Sequence, residues 1–468
     1  MKFLNRNARR LVLAVSLSWI TFHMYWLPFH PWTLGMVRPW FMLQGLIPYR
    51  DFVWIRMPAD LFIMAGWYSL FDVSPDSYRA LITAIVLTTM IILWKRSSLS
   101  VVLFAILFPP LFFNTEIGEM LIGLYATMFA YVFHLFLIQK NRTALGIAGV
   151  LAGLMVMTKQ STATVSLAVA FTIVLGGKYL NMTALQKAKQ FLLYLSGASI
   201  VPIVILIYFT YHHALTDLYY YTVEFLLTSY VDAPVNKGTG LLLTGSLLVL
   251  GLPMIVRGVN SASMIHRLFF FTLLLCLTPL LYPSFLSYRA YPLLPVIAFA
   301  APLIYDEWRV RAQKTYIILL CASLFLYGTM TYMKEYYAFI TDNGFHLNQW
   351  LYDYGDVEFE TANWVREQTN RDDRIMVYAN SMIYVLSDRL PANKYVDPFP
   401  YLLEPMDKTA SVFFDNLPRV FIYDRTLPEV HVGLDSFPFI QALEQYYTQE
   451  KTIGTMELYT LQTGQSQE

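Results

Sequence analysis

Long uninterrupted apolar stretches fill the chain up to Met333, with polar and charged residues confined to the short segments between them. A stretch of roughly 20 apolar residues spans the hydrocarbon of a bilayer as a helix, which satisfies all of its own backbone groups. By that rule spans are predicted at 11–29, 78–94, 99–114, 119–138, 144–158, 161–177, 190–211, 240–256, 268–283, 291–305 and 315–333, 11 in all. The first is preceded by Lys2, Arg6, Arg9 and Arg10, is too long for a signal-peptide core and lacks a small-x-small cleavage site, so it is expected to be retained. Between the first two spans lies an unusually long loop, 31–77, in which Pro58–Leu70 reads as an interfacial helix with proline in its first turn. The pattern changes near Asp353. Glu358–Thr369 is amphipathic, while Arg374–Ala379 and Arg419–Asp424 are short strands.

Composition agrees. Of 468 residues, 56% are hydrophobic and 14% charged, with a mean hydropathy of +0.46, against about 25% charged in soluble domains. The net charge of +1 conceals a segregation: up to Met333 there are 23 Lys and Arg against 11 Asp and Glu, and from Lys334 onward 10 against 21. This gives a basic membrane domain at 1–333, a connector at 334–352 and an acidic α/β domain at 353–468. With the N-terminus in the cytoplasm, 16 of the 23 basic residues of the membrane domain fall on cytoplasmic segments, as the positive-inside rule requires. The odd number of spans then makes the C-terminal domain extracytoplasmic. Cys276 and Cys321 lie in apolar runs and read as packing residues. The C-terminal domain shows no internal repeat, nucleotide-binding glycine loop or nucleic-acid motif, and no nucleic-acid partner is expected.

Candidate chemistry concentrates in the first loop, at GLIPYRDFVWIRMPADL, Gly45–Leu61. Asp51 offers a carboxylate and Arg56, five residues on, a fixed guanidinium. An acid that deprotonates a hydroxyl beside a cation that neutralises a departing phosphate suits sugar transfer from a lipid phosphate. An ordinary ion pair of Asp51 with Arg50 or Arg56 fits the same spacing. Glu116 and Glu119 stand at the start of a span, where the helix dipole alone favours acids. Lys159 and Arg289 are boundary cations that either contact phosphate or snorkel to the interface. His212, His213 and Asp217 lack the spacing of a metal site and read as interface residues, and Tyr219, Tyr220 and Tyr221 suit either a sugar platform or an aromatic belt.

Gly45, Pro48, Tyr49, Arg50, Asp51, Phe52, Arg56 and Pro58 together resemble the first-loop pattern of bacterial GT-C glycosyltransferases, relatives of the protein O-mannosyltransferases and the lipid A aminoarabinose transferase (glycosyltransferase family 39-like). Glu119, GLMVMTKQS at Gly153–Ser161, RAYPLLP at Arg289–Pro295 and the stretch Ala362–Val396 follow in the family's order. The resemblance implies a polytopic α-helical membrane protein of about 11 transmembrane helices with a small C-terminal α/β extracytoplasmic domain. It makes Asp51 the leading catalytic base, with Glu119 and Glu116 as further catalytic residues that help position the acceptor or the base. Arg56, Lys159 and Arg289 become donor-phosphate contacts, and Tyr49, Arg50 and Gln160 substrate contacts. The implied partners are a polyprenyl-phosphate sugar donor, a glycolipid, glycan or protein acceptor and membrane lipids, in a bacterial inner membrane. No cofactor is required, and a divalent metal stays open. The chain departs from the family in having no carboxylate between the first span and Asp51, and in carrying Arg56-Met57-Pro58 where relatives have Lys-Pro-Pro. The competing classes are a transporter or flippase and a non-catalytic component that binds lipid-linked glycan. Against transport, ionisable residues cluster at span ends, and no interrupted helix pair suggests an inverted repeat.

Overall fold

A computed structural model describes residues 6–26, 33–108, 116–176, 181–228, 264–281, 289, 291–307, 355–396, 417–426, 443 and 445–462. The chain divides into two compact units. One comprises Met1–His30, Arg79–Ile205 and Asp232–Leu351; the other comprises Pro31–Tyr78, Leu206–Val231 and Tyr352–Glu468.

The first unit is helical. Its described helices are α1 (Arg6–Trp26), most of α4 (Pro75–Arg96), α5 (Ser98–Leu107), α6 (Ile117–Gln139), α7 (Arg142–Thr158), α8 (Val165–Gly176), most of α9 (Ala184–Tyr211), α12 (Met264–Leu277) and α13 (Leu293–Glu307). Each coincides with a predicted span; the predicted spans 240–256 and 315–333 and the connector 334–352 lie outside the described residues. Pro75–Arg96, Ile117–Gln139 and Ala184–Tyr211 are each long and apolar enough to cross a membrane. Local chemistry sets the helix ends. Lys95 and Arg96 close α4 where its dipole favours cations. At the next junction, Lys140 ends α6 in the left-handed region, and the Asn141 side chain caps α7 by accepting from the Thr143 and Ala144 amides. Helices α7 and α9 meet through glycine. A Cβ on Gly149 would lie 2.2 Å from the Tyr194 carbonyl oxygen, and one on Gly153 2.5 Å from that of Ala198, the close backbone approach that small residues permit in membrane helices.

The second unit combines the long first loop, the segment after α9 and the C-terminal residues. Within the loop are α2 (Leu34–Leu43), which the apolar pattern did not predict, and α3 (Ala59–Tyr68), which it did. Helices α10 (Leu215–Tyr219) and α11 (Phe225–Thr228) are joined by a π-helical turn, Tyr220–Glu224. The C-terminal residues form α14 (Asp356–Gln368), α15 (Met382–Ser387) and a four-stranded sheet in the order β1 (Ile375–Tyr378), β2 (Val420–Asp424), β4 (Met456–Leu461), β3 (Tyr447–Ile453). β1 and β2 are parallel; β4 is antiparallel to both β2 and β3. Gly454, at φ +60°, turns the two-residue β3–β4 hairpin. Met376, Tyr378, Phe421, Tyr423, Leu443 and Tyr447 form one apolar cluster of this sheet. Loop and tail are joined within the unit: the Val53 amide donates to the Lys394 carbonyl at 2.9 Å, and Phe41 packs edge-on against Tyr384 at 5.4 Å.

Candidate active site

The predicted site residues fall into two groups, one in each unit. In the second unit, Gly45 (φ +86°) turns the chain out of α2, and Tyr49 (φ +71°) turns it again. The Tyr49 amide donates to Phe52 and the Asp51 amide to Ile47, tightening residues 47–52 into a compact hairpin. A left-handed tyrosine is uncommon, and here packing and hydrogen bonding hold it. Its ring is buried against Phe209 and Tyr221, and its hydroxyl donates to the Arg56 carbonyl. Tyr49 therefore props the loop.

The hairpin presents Asp51 and Arg50 side by side. The guanidinium grips the carboxylate with both prongs, Nε to Oδ1 at 2.8 Å and Nη2 to Oδ2 at 2.8 Å, and the Ile47 amide donates to Oδ2 at 2.7 Å. Burial pushes the Asp51 carboxyl up, but the hydrogen bonds from Arg50 and Ile47 and the charges of Arg50 and Arg374 outweigh it and hold it below the usual carboxylate range. The ion pair that the spacing allowed is thus formed with Arg50. The remaining Arg50 nitrogen, Nη1, donates to the His212 carbonyl at 3.1 Å. Arg56 is half-buried, its guanidinium 5.8 Å from the Trp54 ring centre, and Arg38 covers the same ring at 4.7 Å.

Sequence reasoning missed what stands beside this pair. Lys394 holds its ammonium 5.3 Å above the Tyr221 ring, and Asp217, half-buried in α10, lies within the fields of Lys394, Arg50 and Asp51. Burial pushes the Asp217 carboxyl up, Lys394 and Arg50 pull it down and Asp51 pushes it up again; the net shift is upward. A charged residue so distant in sequence gives no local signal, and Asp217 stood out only by its closeness to His212 and His213. Among the described residues, no three His, Cys, Asp or Glu side chains gather as a metal would need.

In the first unit, Glu119 in the first turn of α6 and Lys159, which ends α7, form a buried ion pair through Oε1 and Nζ. The other Glu119 oxygen is buried without a hydrogen-bond partner among the described residues. Glu116 is buried one turn earlier, and Gln160 opens the 3₁₀ turn that follows Lys159. Arg289 is half-buried and shares this unit.

No protein-family profile matches the chain, and no curated protein does. Solved structures do match. The chain is similar to ArnT from Cupriavidus metallidurans bound to undecaprenyl phosphate, with a TM-score of 0.56 and 10% sequence identity over 97% of this chain and 98% of that one. It is similar also to the same protein in the apo state, with a TM-score of 0.57 and 10% identity over 96% and 97%. The likeness runs nearly the full length of both proteins, and the fold of this chain is the fold of ArnT.

Proposed function

We propose that the chain is a membrane glycosyltransferase that moves a sugar from a polyprenyl phosphate to a glycolipid, glycan or protein acceptor on the extracytoplasmic face of a bacterial inner membrane. The observation that carries this reading is the full-length likeness to ArnT, one of whose structures holds undecaprenyl phosphate. The first-loop chemistry supports it: a carboxylate and guanidinium locked together at Asp51 and Arg50, on a hairpin braced by a buried tyrosine, make a preorganised polar site of the kind transfer requires. The reaction is an in-line displacement with inversion. An acceptor hydroxyl loses its proton and attacks the anomeric carbon, and the phosphate leaves with the bonding electrons.

Arg56, Lys159 and Arg289 are the proposed phosphate contacts, and Arg50 and Gln160 the proposed substrate contacts, with Tyr49 acting through the loop it supports. Glu119 holds Lys159 in place, and Glu116 is assigned to acceptor positioning. Asp51 is the acid on which the first loop is built, and Asp51→Asn should abolish transfer in membranes supplied with labelled donor lipid. Full activity in that variant would remove Asp51 from the reaction. Release of sugar from donor lipid by the purified protein separates a transferase from a flippase or a glycan-binding component, which would leave the donor intact.

A further inference from the structure

We infer that Asp217 is the group that takes the acceptor's proton, and that Asp51 anchors Arg50 beside it; the inference rests on the glycosyltransferase reading above. Both oxygens of Asp51 are already engaged, by the two prongs of Arg50 and by the Ile47 amide. A carboxylate held so is a poor proton acceptor, because protonation must break charge-assisted hydrogen bonds. The bidentate grip instead fixes the guanidinium, which reaches on to the His212 carbonyl at 3.1 Å. That contact ties the first-loop hairpin to the turn leading into Leu215–Thr228.

His213, at φ +54°, reverses the chain there, and Asp217 follows in the next helical turn. Asp217 and Tyr221 are four residues apart and share a helix face. Tyr221 is stacked on Tyr49 and lies beneath the Lys394 ammonium. Asp217 is thus placed, half-buried, in the joint field of Lys394, Arg50 and Asp51. Its carboxylate is only half-buried, which leaves it accessible to a substrate hydroxyl. The π-helical turn that begins at Tyr220 is a distortion common at functional sites. The surroundings also shift the two acids in opposite directions, Asp51 down through Arg50 and the Ile47 amide and Asp217 up through burial, the direction expected of a fixed charge beside a base. In the step, the acceptor O–H proton passes to an Asp217 oxygen. The freed oxygen pair forms the bond to the anomeric carbon, and the carbon–oxygen bond to the phosphate breaks with its electrons going to phosphate.

The test uses the full-length protein in liposomes, undecaprenyl-phosphate hexose and pentose donors carrying tritiated sugar, and a membrane extract as acceptor. Asp217→Asn should lower the transfer rate about 100-fold or more while undecaprenyl phosphate binds as before, which also reports that the variant is folded. Should Asp217→Asn not fold, Asp217→Glu serves in its place and should transfer with a displaced acid limb. Glu224→Gln, an exposed change on the same segment, should transfer at the wild-type rate. The pH profile supplies a readout that a structural role would not move. The rate should fall on the acid side as Asp217 takes up its proton, and since Lys394 opposes the effect of burial, Lys394→Met should move that limb to higher pH. Wild-type transfer with Asp217→Asn within threefold of it, or an acid limb that Lys394→Met leaves in place, overturns the inference alone. A wild-type protein that transfers no sugar overturns the glycosyltransferase reading and the inference with it.

Discussion

Glu119 and Lys159 illustrate how burial decides what a charge pair contributes. The Glu119 side chain is 1% exposed and that of Lys159 14%, so replacing the Glu119 carboxylate removes attraction that offsets the desolvation of the Lys159 ammonium, and breaking a buried pair of this kind costs up to about 3–5 kcal/mol. Glu119→Gln should therefore lower the melting temperature in detergent sharply, and adding Lys159→Met should restore much of the loss. Equal melting of the single and double variants would show that the pair contributes little to folding. Asp51 with Arg50 was legible from sequence because the two are adjacent, whereas Glu119 and Lys159 were each singled out as boundary charges but not as a pair. Asp217 and Lys394 were not, since an acid near two histidines and a lysine in the tail carry no shared local pattern. Nor does any sequence rule announce that Tyr49 takes a left-handed backbone, a conformation imposed by tertiary contacts.

Among the elements, the described helices of the first unit fall on the apolar runs, and three of them are long and apolar enough to cross a membrane, because a bilayer demands one simple pattern. α2 escaped for the opposite reason. Arg38 and Pro39 interrupt its apolar run, yet Arg38 is buried against the face of Trp54, where a cation–π contact compensates the charge. The β3–β4 hairpin escaped because β3 buries only Tyr447 and Ile453 at its ends and exposes Thr448 to Thr452 between them, which erases the alternation that marks a half-buried strand. Glycine separates packing from propensity. Gly149→Ala would drive a methyl group into the Tyr194 carbonyl and should destabilise the protein by about 1–3 kcal/mol. Gly66→Ala, with nothing within 4 Å of the new Cβ, should stabilise α3 by up to about 1 kcal/mol. Detergent unfolding of the two variants measures both effects, and similar shifts of one sign would refute the close approach of α7 and α9.

For the whole molecule, the segregation of charge predicts an orientation. In a background with Cys276 and Cys321 replaced by serine, Glu450→Cys should react with a membrane-impermeant maleimide in intact spheroplasts, and Lys187→Cys only after permeabilisation. The reverse pattern would invert the topology inferred from basic residues. The bond from the Val53 amide to the Lys394 carbonyl carries a further consequence, for the order in which the protein is made. The loop leaves the ribosome early, whereas the partner it pairs with emerges after most of the chain has been synthesised and inserted. Its hairpin must wait, half-assembled, for the tail. A ribosome stalled before Lys394 would leave an unfinished protein open to proteases at the first loop, and the emergence of Lys394 would be the event that closes it.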